Sequence, residues 1–368
     1  MNKIDLFCGC GGLSLGFKQA GFNNLFSIDF WPDAIETYNH NMPNSNAYCE
    51  CLDEDIVEKL DKYYNGEEIH TIIGGPPCQG FSTVGTNRLG KRDVEDPRNY
   101  LYQHFLKFVK HHRPYCVLIE NVKGMKTLDK GRYLNHIISE IKEMGYNVKY
   151  EILNASEYGV PQSRYRLFIV GYLMDNFEFP KPVDYKVTTS EAISDLPSLD
   201  VYSDLKDCPT SFVYSKKLTD YQVLLKGKSK LIFNHEPTNH TEQTKDIISK
   251  IKDGGRITDL PEEYWNIRKY NKSFQRMNSC EPSHTIDTGH RNYFHYKENR
   301  VPSVRECARI QSFPDNFIFL KSKTSQYKQV GNAVPPILAN KLAIQIKKYI
   351  ELEDIEKLRE KRKKLIKG

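Results

Sequence analysis

Short apolar runs that end on polar residues recur through the first half of the chain. Lys3 to Phe7 reads as a strand, CGCGGLSLGFKQAG turns on its glycines into an amphipathic helix closing at Gly21, and Asn24 to Asp29 is a second strand finishing on a carboxylate. Trp31 to Asn41 and Asp55 to Tyr63 read as helices, and His70 to Gly75 as a strand. Pro97 to His112 sets Leu101, Phe105, Leu106 and Val109 on one helical face, and Tyr115 to Ile119 is a strand running into Glu120-Asn121-Val122. Gly131 to Met144, Asn147 to Leu153 and Tyr165 to Tyr172 extend the pattern. This alternation predicts a doubly wound α/β domain over residues 1–172, with Asp29, Cys78 and Glu120 brought to one working edge. From residue 173 to 323 the rhythm fades into interleaved prolines, tyrosines, lysines and asparagines, which predicts a smaller, loop-rich domain. Residues 324–350 return to the first domain, with a helix over Pro336 to Ile350, and residues 351–368 read as a solvated, charged helical tail.

Composition narrows the class. At 368 residues the chain has room for about two domains. No apolar run approaches the roughly 20 residues of a membrane helix, and MNKIDLF begins without a signal segment, so the expected location is the cytoplasm, away from membranes. The formal net charge of +6 suits a polyanionic partner without requiring one. Nine cysteines in a cytosolic chain do not predict a disulfide framework. Cys8 with Cys10 and Cys49 with Cys51 are spaced C-x-C, tighter than the usual zinc pair, and the first pair lies inside the glycine loop, so no metal is expected.

Candidate chemistry centres on IIGGPPCQGFS, residues 72–82. β-Branched residues end a buried strand, glycines free the backbone, prolines stiffen it, and Cys78 is presented where the strand gives way to a loop. Free cysteines more often fill space than react. A filler, however, needs no Gly-Gly-Pro-Pro frame before it and no Gln-Gly-Phe-Ser after it, so Cys78 reads as a nucleophile. The glycine turn after the first strand, with Asp29 closing the second, makes half of a nucleoside-binding unit: backbone open to a ligand, and an acid placed for ribose hydroxyls.

DLFCGCGGLSLGF, GGPPCQGFS, ENV, QSRYR and QVGNAVPP follow one another in the order and spacing of the DNA (cytosine-5) methyltransferases, and from residue 3 to about 345 the chain resembles that family in its bacterial restriction-modification form. The resemblance implies a Rossmann-like, S-adenosylmethionine-dependent methyltransferase domain with a smaller target-recognition domain, acting as a monomer on double-stranded DNA beside a cognate restriction endonuclease. It implies a methyl group passed from S-adenosyl-L-methionine to carbon 5 of a flipped-out cytosine, with Cys78 as the thiolate that adds to carbon 6. Glu120 would hold ring nitrogen 3 and the exocyclic amine as a protonated acid. Of Arg164 and Arg166, alternate residues at a strand start, one would reach the cytosine carbonyl and the other orient Glu120.

By the same resemblance the cofactor contacts are Phe7, Cys10, Gly11, Gly12, Asp29, Phe30, Asp55, Ile56, Pro77, Leu101, Asn332 and Ala333. The loop departs from the family's commonest form in its cysteines at 8 and 10, and Asp29 stands where glutamate is more usual. Gly80 to Asn99 reads as a basic lid, with Ser82, Arg88 and Arg98 as DNA contacts. Thr285-Ile286 resembles the family's recognition dipeptide, with Arg291 and Asn292 placed to read bases. NHEPTNHT and Arg256 to Arg276 are expected to face DNA, and RECARIQSFPDNF to buttress the recognition domain with Cys307 as packing. An oxidoreductase reading would explain the glycine loop and Asp29 but leave Cys78, Glu120 and both arginines without work. An RNA methyltransferase would carry a more compact recognition region, and a non-enzymatic relative would have lost its catalytic positions.

Overall fold

Strands buried on both faces carry the site. The computed structural model describes residues 1–77, 100–175, 177–201, 208–209, 217–265, 274–288 and 293–367, and the chain divides into two units. The first comprises Met1–Asn154, Tyr165–Lys181 and Ala339–Gly368. Its strands are β1 Asn2–Leu6, β2 Asn23–Asp29, β3 Ala47–Cys49, β4 Thr71–Gly74, β5 Cys116–Val122, β6 Asn147–Asn154 and β7 Tyr165–Tyr172. They lie in the order β3-β2-β1-β4-β5-β7-β6; the first five are parallel, and β7 runs antiparallel between β5 and β6. Helices α1 Gly12–Gln19, α2 Pro32–Asn41, α3 Ile56–Asp61, α4 Leu101–His112 and α5 Arg132–Glu143 alternate with them. Ile4, Leu6, Phe26, Ile28, Ile72, Ile73, Val117, Leu118 and Ile119 are fully buried, as parallel strands covered on both faces require.

From β1 the chain builds outward to β2 and β3, then returns to place β4 on the other side of β1. The carboxyl ends of β1 and β4 therefore flank a switch point, the usual ligand crevice of an open α/β sheet. Gly74 lets the two strands approach there: a Cβ on it would stand 2.1 Å from the Leu6 carbonyl oxygen.

The second unit comprises Ala155–Arg164 and Pro182–Leu338. Its helices are short, α6 Thr189–Ile193, α7 Asp220–Lys226, α8 Glu242–Lys250, α9 Val304–Ile310 and α10 Lys323–Asn332, and its strand pairings are two residues long. One core gathers Ile247, Ile248, Ile251, Ile257, Phe274, Phe294 and Val301. Buried ion pairs brace the unit around α9. Arg300 forks onto Glu306 with two bonds of 2.7 Å, and Arg309 bridges Asp315 at 2.6 Å and Asp195 at 3.0 Å. Cys307 is fully buried among them. Arg276, expected on a DNA-facing surface, is instead 4% exposed and donates to the carbonyls of Ile248, Ile251, His295 and Glu298. The loops around it turn their carbonyls inward, and one planar guanidinium satisfies several at once. His235, in the NHEPTNHT stretch, is likewise buried, 2.8 Å from the Ser303 hydroxyl and the Pro197 carbonyl oxygen.

Helices α11 Pro336–Leu352 and α12 Ile355–Lys367 end the chain. In the first unit Gly16 of α1 meets α11 so closely that a Cβ would lie 2.4 Å from Ala339 Cβ. The tail is not free in solvent, contrary to the sequence expectation. Leu358 is fully buried, Arg359 forks onto Glu68 at 2.9 and 3.0 Å, Arg362 donates to the His112 carbonyl at 2.9 Å, and Leu365 packs against Gly145. Leu358, Arg362 and Leu365 follow at helical spacing, a stripe that the alternating charges between them conceal. Among the described residues no helix is long and apolar enough to cross a membrane.

Candidate active site

The glycine loop after β1 is held by strand ends on both sides. Phe7 takes a left-handed backbone, φ 63°, rare for a residue with a side chain, and Gly9 and Gly11 follow with φ of 54° and 96°. The Cys8 amide bonds the Ile28 carbonyl at 3.0 Å, and the Gly11 amide turns back to the Cys8 carbonyl at 3.0 Å. Asp29, at the end of β2, accepts the Gly9 N–H at 2.8 Å on Oδ2 and the Trp31 N–H at 2.9 Å on Oδ1. The loop and the acid thus fix each other. Phe30 beside it is 59% exposed, an aromatic face left open at a strand end. Burial pushes the Cys10 thiol up to about 12 and Cys8 up as well, so both remain neutral packing groups rather than thiolates.

Beneath the loop lies a buried polar network that periodicity did not single out. Lys3 donates to the Ser14 hydroxyl at 2.6 Å, Ser14 donates to Asp5, and the Tyr38 hydroxyl donates to Ser14 at 3.0 Å. Burial raises Asp5 to about 6 and lowers Lys3 to about 8, each opposed by the other's charge. The available signal was the charged residues themselves, since a charge within an apolar strand demands a partner.

Asp55, exposed, precedes α3, while Ile56 is fully buried and its N–H closes a turn on the Asp53 carbonyl at 3.2 Å. Leu101, half-buried, opens α4. At the end of β4 the chain runs through Gly75, Pro76 and half-buried Pro77 against β5. The Asn121 amide donates to the Pro76 carbonyl at 3.0 Å, and a Cβ on Gly75 would stand 3.0 Å from Glu120 Oε2. Only a bare backbone passes so near that carboxylate. Across the sheet Val122 faces Arg166, so Glu120, two residues earlier on the same side, is the diagonal neighbour of Arg166. Their side chains meet, Arg166 Nε to Glu120 Oε1 at 3.1 Å, with 18% and 13% of each exposed. Burial lowers the pKa of Arg166, and the carboxylate opposes that shift.

The second unit gathers the remaining motif residues. Arg164, 1% exposed, donates to the Gly331 carbonyl at 2.9 Å, and Gly331 lies against Asp287 and Thr288, where a Cβ would be 2.5 Å from the Asp287 oxygen. Exposed Thr285 donates to the Ser163 carbonyl at 2.8 Å. Ile286 is buried, with its N–H on Gln162 Oε1 at 3.0 Å, so the dipeptide presents Thr285 and anchors through Ile286. Gln162 also bonds Gln311, whose amide holds the Ala333 carbonyl. These two buried glutamines, which the sequence places inside QSRYR and RECARIQSFPDNF, tie Thr285-Ile286 and QVGNAVPP to QSRYR. Asn332 is exposed and Ala333 half-buried. Cys78, Ser82, Arg88, Arg98, Arg291 and Asn292, like the whole of the expected lid from Gly80 to Asn99, lie outside the described residues.

A sheet of this order, with a glycine loop and an acid at its switch point, defines the Rossmann-like methyltransferases. Residues 1–348 match the family model C-5 cytosine-specific DNA methylase, and the chain belongs to that family. It is 37% identical over 347 residues to the Type II methyltransferase M1.HphI of Haemophilus parahaemolyticus, covering 93% of this chain and 86% of that protein. To the Type II methyltransferase M.DdeI of Desulfomicrobium norvegicum it is 36% identical over 390 residues, 95% of this chain and 89% of that one. The crystal structure of an E. coli prophage-encoded protein described as a DNA modification methyltransferase superposes with TM-score 0.77 at 27% identity, over 95% of this chain and 99% of that one. The chain is a DNA cytosine-5-methyltransferase of the type II restriction-modification class.

Proposed function

We propose that this enzyme uses S-adenosyl-L-methionine to methylate carbon 5 of a cytosine turned out of a short duplex sequence, through a covalent bond to Cys78. The observation that carries the reading is the Glu120–Arg166 pair at the end of β5, against the Gly75–Pro77 segment that leads directly to Cys78. The residues after β1 and β2 suit the cofactor: an exposed Phe30 face for adenine, the Asp29 carboxylate for the ribose hydroxyls, and an open backbone at Gly9, where a Cβ would meet nothing within 4 Å. Bound there, S-adenosylmethionine supplies an electrophilic methyl group.

The protein's part is to make carbon 5 a nucleophile. The Cys78 thiolate adds to carbon 6, and the electron pair of the carbon 5–carbon 6 bond moves toward carbon 5. Glu120, held by Arg166 and acting in its protonated form, donates a hydrogen bond to ring nitrogen 3, which stabilises the charge that develops on the ring. Arg164 acts as a positioning group, bonded to the Gly331 carbonyl. After methylation, a base or an ordered water takes the carbon 5 proton, and the electron pair left behind restores the double bond and expels the thiolate. A base within the duplex is out of reach of such a site, so the target is extruded. In this reading the enzyme works as a monomer beside an endonuclease that cuts the same sequence, and Ser82, Arg88, Arg98, Thr285, Arg291 and Asn292 contact DNA.

Bisulfite sequencing of DNA from a methylation-free host expressing the chain tests this directly. One short motif should carry protected cytosines, and the Cys78→Ala control should carry none while still binding S-adenosylmethionine. Protection that persists in the control would remove Cys78 from the mechanism.

A further inference from the structure

The helices α3 and α4 both close toward the amino ends of the strands, away from Asp29 and Glu120. There Asp61, His111 and His112 converge. Asp61 Oδ1 lies 3.0 Å from His112 Nε2, Asp61 Oδ2 lies 3.4 Å from His111 Nε2, and one ligand atom from each residue falls within 4.8 Å of the others. We propose that these three side chains bind a divalent transition-metal ion of the zinc class, joining the end of α3 to the end of α4.

Geometry argues for it first. Ligands about 2.0–2.1 Å from a tetrahedral ion stand roughly 3.3 Å from one another, close to both carboxylate–imidazole separations. The second observation is burial. His112 is 5% exposed, and its Nε2 is held 3.0 Å from Asp61 Oδ1, so the imidazole meets the carboxylate out of solvent, where an ion taking the place of that contact would be shielded from water.

The surroundings fit a site open on one side. The Phe108 ring at 4.2 Å and the Tyr64 ring at 5.1 Å flank the His112 imidazole, and His111, 52% exposed, leaves room for water as a further ligand. The nearby cation, Arg362, is engaged with the His112 backbone carbonyl at 2.9 Å. Two imidazoles and a carboxylate suit zinc, cobalt or nickel better than magnesium or calcium.

The test is titration of the full-length, chelator-treated and desalted protein with CoCl2, followed by absorbance and thermal melting. One equivalent should bind with a visible ligand-field spectrum, no thiolate charge-transfer band, and a rise in melting temperature. His111→Ala, at an exposed position, and Asp61→Asn should each weaken binding about tenfold or more while methyl transfer in metal-free buffer stays unchanged. Lack of stoichiometric binding would overturn the proposal, as would binding that carries a thiolate band or keeps its affinity in both variants.

Discussion

Asp29 does two things that one carboxylate can do and one amide cannot. Its separate oxygens hold the Gly9 and Trp31 N–H groups, and a carboxylate with about four acceptor directions keeps capacity for a ribose. An asparagine offers one acceptor oxygen and turns an NH2 toward the other N–H. Asp29→Asn should therefore raise the dissociation constant for S-adenosylmethionine by about tenfold or more, since an unsatisfied buried group costs about 1–3 kcal/mol, and leave DNA affinity in place. Calorimetry and gel shift separate the two, and an unchanged cofactor constant would take Asp29 out of the pocket. In the proposed mechanism Arg166 acts through Glu120, which it meets at 3.1 Å, rather than on its own. Its removal leaves the Glu120 carboxyl group without the guanidinium hydrogen bond that orients it, a loss of about 1.5–3 kcal/mol, so Arg166→Ala should slow single-turnover methylation roughly 10- to 150-fold with cofactor binding intact. Arg166→Lys restores the charge but not the planar fork and should recover only part of the rate.

At the scale of elements, the docking of α12 rests on groups that titrate. Arg359 and the Tyr115 hydroxyl hold Glu68 well below its ordinary 4.5, at about 2. A carboxylate depressed on folding stabilises the folded state above its unfolded pKa, and that contribution fades as pH falls from about 4.5 toward 2. Both partners are partly exposed, so the effect is modest. The melting temperature of the native chain should exceed that of Glu68→Gln near neutral pH, and the gap should close on acidification through that window; a gap independent of pH would show the pair does not anchor α12. The helix itself was legible in the sequence, but its docking was not, because its apolar residues are too sparse among the charges. β3 was hidden for another reason: three residues are too few for any alternation to show. Strands β1, β2, β4 and β5 were legible because burial on both faces makes them continuous apolar runs.

Across the whole molecule, motif order was readable because each motif is local, whereas the contacts that assemble the motifs are not. Arg164 meets the carbonyl of Gly331, 167 positions away, and Gln162 reaches Gln311, 149 away; no periodicity carries such information. Charge is legible only as a total. With 53 basic and 47 acidic residues the net of +6 is too small to draw DNA by itself, so affinity must come from cations placed locally against phosphates. Each phosphate neutralised steepens the salt dependence by about 0.9 in log–log slope, so a fourfold rise in salt should weaken duplex binding about three- to fourfold per contact. Cofactor binding, which in the proposed reading rests on Asp29, an aromatic face and backbone groups, should barely change over the same range. Measuring both constants from about 50 to 200 mM salt tests the division. A shallow duplex slope would mean that the protein holds DNA through bases and shape, and a steep cofactor slope would mean that charge, not the strand-end pocket, binds the methyl donor.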